Sequence, residues 1–179
     1  MANNEQYTLK PALCLDLDGT VRYSSNPKSK FIETPWDVEL YYGVEEVIWK
    51  WRDDGYHIIG VTNQGGVAWG IKRVLDHAKI NKAMLDLFER NPFHMIKVSF
   101  NDPKGRIEPY CHRSLLRKPD YGMLAICEVE ALSSGIVIDW DNSLFVGDRP
   151  EDKECADKAG IRFKWEWDFF DREPPPSYD

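Results

Sequence analysis

The chain has 179 residues, 42% of them apolar and 30% charged, with a formal net charge of −7. That length suits one domain with a well-buried core, and the acidic balance disfavours a global field that gathers nucleic acid or an anionic membrane surface. No apolar run approaches a membrane span, residues 1–10 are too polar for a signal peptide, and Cys14, Cys111, Cys127 and Cys155 form no Cys-x-x-Cys pair, so the expectation is a cytoplasmic protein with reduced thiols and no implied protein partner.

Taken in chain order, the apolar run at 12–17 reads as a buried strand. Residues 44–54 carry a helical pattern stopped by Gly55, and 57–61 form the next strand. From about 72 to 90, the residues Ile80, Ala83, Met84, Leu87 and Phe88 fall on one helical face. A strand at 94–100 follows, and Asp120 is expected to cap a helix running to about Leu132. A short strand at 144–146, a helix at 150–159 and a strand at 162–165 complete the pattern. Pro174, Pro175 and Pro176 mark a loose tail. The expected organisation is one domain over 1–172 and a flexible proline-rich tail over 173–179. The alternation argues for an α/β fold, a central parallel sheet with helices on both faces. In such folds ligands sit outside the carboxyl ends of the strands.

Those strand ends are polar. The first runs into Asp16-Leu17-Asp18-Gly19-Thr20. Two carboxylates leaving an apolar strand repel each other, and a cation offsets the repulsion; magnesium prefers carboxylate oxygens. An acidic turn capped by Thr20 is the plainer reading of this segment alone. The second strand ends in Thr62-Asn63-Gln64-Gly65-Gly66, whose hydroxyl, amide and backbone groups can donate to phosphate oxygens. Arg117-Lys118-Pro119 precedes a helix, and a lysine there can neutralise a phosphoryl group. Gly147-Asp148-Arg149-Pro150-Glu151-Asp152 again places acids after a short strand. Asp148 can complete a metal site with Asp16, and Asp152 can hold Lys118 or a metal-bound water from behind.

Asp16-x-Asp18-Gly19-Thr20, Thr62-Asn63, Lys118-Pro119 and Gly147-Asp148-x-x-x-Asp152 resemble, in order and spacing, the four signature loops of haloacid dehalogenase (HAD) phosphatases. The resemblance runs over about 12–170. It implies a three-layer Rossmann-like fold in which Asp16 attacks phosphorus and forms an aspartyl-phosphate. It implies that Asp18 protonates the leaving oxygen and then activates water. An acid at position 18 favours a phosphatase, because the ion-pumping ATPases of the same superfamily carry threonine there. Magnesium is then held by Asp16, the backbone carbonyl of Asp18, and Asp148. Thr62, the backbone near Asn63, and Lys118 take the phosphoryl oxygens.

The intervals between the loops leave no room for a separate cap domain, so a capless, subclass III arrangement is expected. Its open site is walled by loops at 22–30 and 101–116. Two capless branches are similar. One holds histidinol-phosphate and heptose-bisphosphate phosphatases, matched by Thr62-Asn63-Gln64-x-Gly66-Val67 and Arg117-Lys118-Pro119-x-x-Gly122-Met123. Against it, Leu17 stands where arginine is usual, and Cys111 and His112 lack the further cysteines of that branch's zinc loop. The other is the 3′-phosphatase of polynucleotide kinase/phosphatases, matched by 16–20, 112–123 and 143–148. The substrate is therefore a sugar- or small-metabolite phosphate or a 3′-phosphorylated nucleic acid end. Arg117 is the expected substrate-binding residue, through a bidentate contact. Trp36 and Trp69 read as packing residues rather than as stacking platforms. A catalytically idle relative that binds a phosphorylated ligand, a phosphotransferase, and a receiver domain are the alternatives. Losing Asp16 or Asp18 would mark the idle relative, and a receiver domain would lack Asp16-x-Asp18-Gly19-Thr20 at its first strand.

Overall fold

The computed structural model describes residues 7–173. Five parallel strands form the central sheet: β1 (Thr8–Asp16), β4 (His57–Asn63), β5 (Met95–Ser99), β6 (Ile136–Gly147) and β7 (Arg162–Trp165). Their order is β5-β4-β1-β6-β7. The chain therefore winds outward from β1 in one direction and then returns to wind outward in the other. The strand order reverses at β1, and the crevice at its carboxyl end is where this topology places a ligand.

The period of two along each strand sorts the core into layers. Leu13, Leu15 and Leu17 point to one face, against Val44 and Ile48 of α1 (Val44–Asp53) and Ile80 and Met84 of α2 (Val74–Asp86). Ala12 and Cys14 point to the other, against Met123, Leu124, Cys127 and Ala131 of α3 (Gly122–Ser133) and Cys155 and Ala156 of α4 (Pro150–Ala159). Each large aliphatic side chain buried this way contributes roughly 1.5–3 kcal/mol of transfer free energy. The short α5 (Glu166–Phe170) packs Phe169 and Phe170 onto the first layer. The four cysteines are free. Among the described residues no helix is long and apolar enough to cross a membrane.

Between β1 and α1 the chain forms an antiparallel ribbon, β2 (Arg22–Ser24) with β3 (Val38–Leu40). The loop joining them ends in a 3-10 turn at Pro35–Asp37, closed by Thr34 and Asp37 in a reciprocal cap. The ribbon is too short to show a strand period in the sequence. No separate cap domain is inserted among the described residues.

Three expectations need correction. β6 begins at Ile136 and not near Leu144, because Ser143 keeps a polar stretch in the sheet: its hydroxyl donates to the Asp139 carbonyl at 2.6 Å and accepts from the Ala12 amide at 2.8 Å. α2 starts at Val74, after Gly70 turns the chain at φ 74°, and Leu87 beyond its end is 48% exposed rather than core. Tyr121, not Asp120, occupies the N-cap of α3. The Asp120 carboxylate is turned to Lys158 of α4 at 3.0 Å, with Arg113 at 3.8 Å. Apart from Glu173, the expected tail lies outside the described residues.

Candidate active site

Asp16 is the last residue of β1, between the ends of β4 and β6. Its carboxylate is buried and bonded to the ammonium of Lys118. The same ammonium lies 2.6 Å from Asp152 and donates to the Val61 carbonyl at 3.2 Å. Burial disfavours the lysine cation, but Asp16 and Asp152 outweigh it and hold Lys118 above the usual lysine range. Burial pushes Asp16 well above the usual carboxylate range; Lys118 opposes this, and Asp152 and Asp148 reinforce it.

Asn63 fixes the lysine from outside. Its side-chain oxygen accepts from the Lys118 amide at 3.0 Å, and its side-chain nitrogen donates to the Lys118 carbonyl at 2.9 Å. The Asn63 side chain is thus occupied by the Lys118 backbone. Asp152 has a second task, accepting from the Arg149 amide at 3.1 Å as part of the first turn of α4. Gly147 permits this approach: a Cβ there would stand 2.5 Å from the Asp152 side chain.

Asp16, Asp148 and Asp152 each offer an oxygen within 4.8 Å of the others. Oδ1 of Asp148 is buried and has no hydrogen-bond partner among the described residues. Burial and the charge of Asp152 push Asp148 up to about 6. Gly19, at φ 100°, passes so close that any Cβ would collide with the Asp148 carboxylate. Hard oxygen donors, an unpaired buried oxygen and clustered negative charge fit a divalent cation such as magnesium.

Asp18 stands apart from that cluster. It receives Nε of Arg22 at 2.8 Å, the Thr62 hydroxyl at 3.2 Å and the side-chain amide of Gln64. Burial raises its pKa, but the Arg22 charge and the donated hydrogen bonds prevail, leaving it below the usual carboxylate range. Arg22 and Gln64 were not among the expected site residues. A charged residue inside the apolar start of the ribbon, Val21-Arg22-Tyr23, was the available signal for the first; for Gln64 it was its place in the Thr62-Asn63-Gln64-x-Gly66-Val67 pattern at a strand end.

Asp18, Arg22, Asn63, Gln64 and Asp148 line a cleft of about 830 Å³. Its walls include Tyr23, Ser24 and 30–33 of the ribbon, with Trp69 and Arg117 opposite. The expected 101–116 wall supplies only Asp102; most of that side comes from 63–72. Arg117 donates to the Asn101 carbonyl at 2.8 Å and has Asp102 at 3.6 Å, with 27% of its side chain exposed. Trp69 donates to Asp102 at 3.2 Å. Trp36 is 91% exposed and outside the cleft lining, so it does not pack as expected. Cys111 and His112 lie near Glu108, which bonds His112 at 2.6 Å on the exposed surface.

The polynucleotide kinase 3 phosphatase family model matches residues 12–170. A D-glycero-beta-D-manno-heptose-1,7-bisphosphate 7-phosphatase of Photorhabdus laumondii is 30% identical over 156 residues, which cover 86% of this chain and 78% of the relative. A Mesorhizobium loti protein solved as a HAD-like phosphatase matches with a TM-score of 0.73 and 26% identity, over 90% of this chain and 74% of that one. The D,D-heptose 1,7-bisphosphate phosphatase of B. bronchiseptica, solved with magnesium and phosphate, shares the fold at a TM-score of 0.67 and 22% identity, over 86% and 78% of the two chains.

Proposed function

The chain belongs to the polynucleotide kinase 3 phosphatase family and is a capless phosphatase of the haloacid dehalogenase type, and we propose that it hydrolyses phosphomonoesters through an aspartyl-phosphate on Asp16. One observation carries this reading. A buried carboxylate at the topological switch point is paired with the Lys118 ammonium and offers an oxygen within 4.8 Å of one from Asp148, whose Oδ1 is unpaired.

A carboxylate oxygen of Asp16 attacks phosphorus as the bond to the leaving oxygen breaks. Asp18, held ionised in the free protein, binds a proton from solvent before this step and delivers it to the leaving oxygen. Water then attacks the phosphorus of the aspartyl-phosphate, Asp18 takes the proton from that water, and the bond to Asp16 breaks to release phosphate. Thr62, the backbone at Asn63, and Lys118 receive the phosphoryl oxygens, and Lys118 neutralises their charge. Asp16, Asp148 and the Asp18 backbone carbonyl would hold magnesium, which supplies further positive charge to the phosphoryl group. Asp152 keeps Lys118 in place.

The proposed substrate is a phosphorylated sugar or small metabolite. The cleft mixes Lys30, Lys72 and Arg117 with Glu33 and Asp102, a surface suited to hydroxyl-rich ligands, and the Photorhabdus relative is named for a heptose bisphosphate. A 3′-phosphorylated nucleic acid end is the second reading, favoured by the name of the matched family and by Trp69, which is 39% exposed on the cleft wall. Release of phosphate from sugar phosphates, histidinol phosphate, nucleotides and 3′-phosphorylated oligonucleotides, measured with magnesium, tests both. Turnover of none of them would refute the activity.

A further inference from the structure

Arg22 is the most deeply buried large cation in the fold: its residue exposure is 0%. Its Nε donates to one oxygen of Asp18 at 2.8 Å, and a terminal nitrogen reaches the other at 3.4 Å. The remaining terminal nitrogen donates to Asn81 of α2 at 2.7 Å and lies 3.6 Å from the sulfur of Met84. Burying a guanidinium is expensive, and an apolar residue of similar size is often as good or better for stability. The neighbours Val21, Ile80 and Met84 would accept one. Stability alone does not account for an arginine at this position.

We propose that Arg22 is a positioning residue for the acid–base step, its planar fork holding both oxygens of Asp18 so that the carboxyl keeps its direction at the cleft when substrate takes Thr62 from it. The proposal rests on the reading of Asp18 as the acid and base. In the free protein the Asp18 carboxylate accepts from the Thr62 hydroxyl at 3.2 Å and from Gln64. Thr62 is one of the groups that receive the phosphoryl oxygens, so a bound phosphate displaces Asp18 from it. The guanidinium remains, because it approaches Asp18 from the side of α2 and is itself anchored there by Asn81. A two-point contact fixes direction as well as distance, which a lysine ammonium does not do. Asp18 and Arg22 pair in no helix; the bridge between them arises where β1 gives way to the ribbon.

The test is the leaving-group dependence of kcat/KM over a series of para-substituted phenyl phosphates, from para-nitrophenyl phosphate to phenyl phosphate. A proton donor matters least where the leaving group is good. Asp18→Asn should lose on the order of 10²–10⁴-fold on phenyl phosphate and much less on para-nitrophenyl phosphate. Arg22→Gln and Arg22→Lys should steepen the dependence in the same direction, with at least about a tenfold loss on phenyl phosphate for Arg22→Gln, a fraction of the general acid–base contribution. In the Asp18→Asn background Arg22→Gln should cost nothing further. Asn81→Ala, which leaves Arg22 and Asp18 in place, should give a smaller steepening and carries the test if Arg22→Gln fails to fold. An Asp18→Asn protein with the unaltered leaving-group dependence would refute the acid role itself. A steepened dependence in Asp18→Asn with none in Arg22→Gln or, should that protein not fold, in Asn81→Ala would overturn the role of Arg22 alone, as would equal losses across the series.

Discussion

The side-chain amide of Asn63 is bonded at both ends to the backbone of Lys118, accepting from its N–H at 3.0 Å and donating to its carbonyl at 2.9 Å. This pair of bonds ties the end of β4 to a loop 55 residues further along the chain and sets where the Lys118 ammonium enters the site. Asn63→Ala leaves two backbone groups without partners, at a cost of about 1–3 kcal/mol. The expected result is a lowered melting temperature together with a fall in kcat, because Lys118 loses its fixed approach to Asp16. Asn63→Asp removes only the donating half and should fall between the two. Thermal melts and steady-state kinetics on the same preparations check this.

Removal of divalent cations should abolish turnover, and magnesium should restore it. Calcium, larger and less strict in geometry, should substitute poorly. Magnesium should also raise the melting temperature, because a cation offsets the repulsion among Asp16, Asp148 and Asp152. Asp148→Asn should remove that rise. Full activity in a chelator, or an unchanged magnesium-induced rise in Asp148→Asn, would contradict the assigned metal site.

Arg117 faces the cleft with its guanidinium steadied by Asn101 and Asp102. Arg117→Ala should lower kcat/KM for the natural substrate by over tenfold, the loss of a charged contact of about 1.5–3 kcal/mol, while para-nitrophenyl phosphate is hydrolysed nearly as before. If the substrate is a nucleic acid end, the defect should shrink as salt rises; for a sugar phosphate its salt dependence should be mild. An unchanged kcat/KM on every substrate would remove Arg117 from the site.

Acid should destabilise the protein through its histidines. Burial lowers His57, His77 and His94 to about 4 from the ordinary value of 6.5. His57 and His94 stack at 4.1 Å, and Nδ1 of His94 accepts from the Ile58 amide at 2.9 Å, which requires the unprotonated ring. Between about 6.5 and about 4 the unfolded chain binds protons on these residues that the folded chain does not. Their contribution is therefore complete above 6.5 and is lost as pH falls through that window. Denaturation free energies measured at several pH values should show this slope, and His57→Leu should reduce it by up to one proton. An identical slope in the variant would contradict the assignment.

The parts of the fold that were legible share one property: their side chains meet a surface with a fixed period. β7 and α4 fall within the expected limits, because a four-residue strand and a Pro-led, Gly-stopped helix declare their ends locally. The first half of β6 was not legible, since Asp139, Asp141 and Asn142 interrupt its apolar pattern and Ser143 is satisfied only by partners from β1 and from its own bend. The ribbon was hidden for a different reason, as its strands bury a charged Arg22 along with Val38 and depend on α2 for cover. In the site, the strand-end acids and Lys118 could be read from position, and the structure brings Asp16, Lys118, Asp148 and Asp152 together. The bonds of Asp18 to Arg22 and Gln64 could not be read so, because the first is made within the turn after β1 and the second between that turn and the residue after β4, neither of them by a repeat.

Every step of the proposed reaction depends on Asp16 carrying the phosphoryl group. Rapid quenching with a ³²P-labelled substrate, followed by borohydride reduction and peptide mapping, measures this directly. The expected result is a base-labile label on Asp16 of the folded protein, and none in an equally folded Asp16→Asn variant, which should also release no phosphate. Label on another residue, or substantial phosphate release by Asp16→Asn, would contradict it.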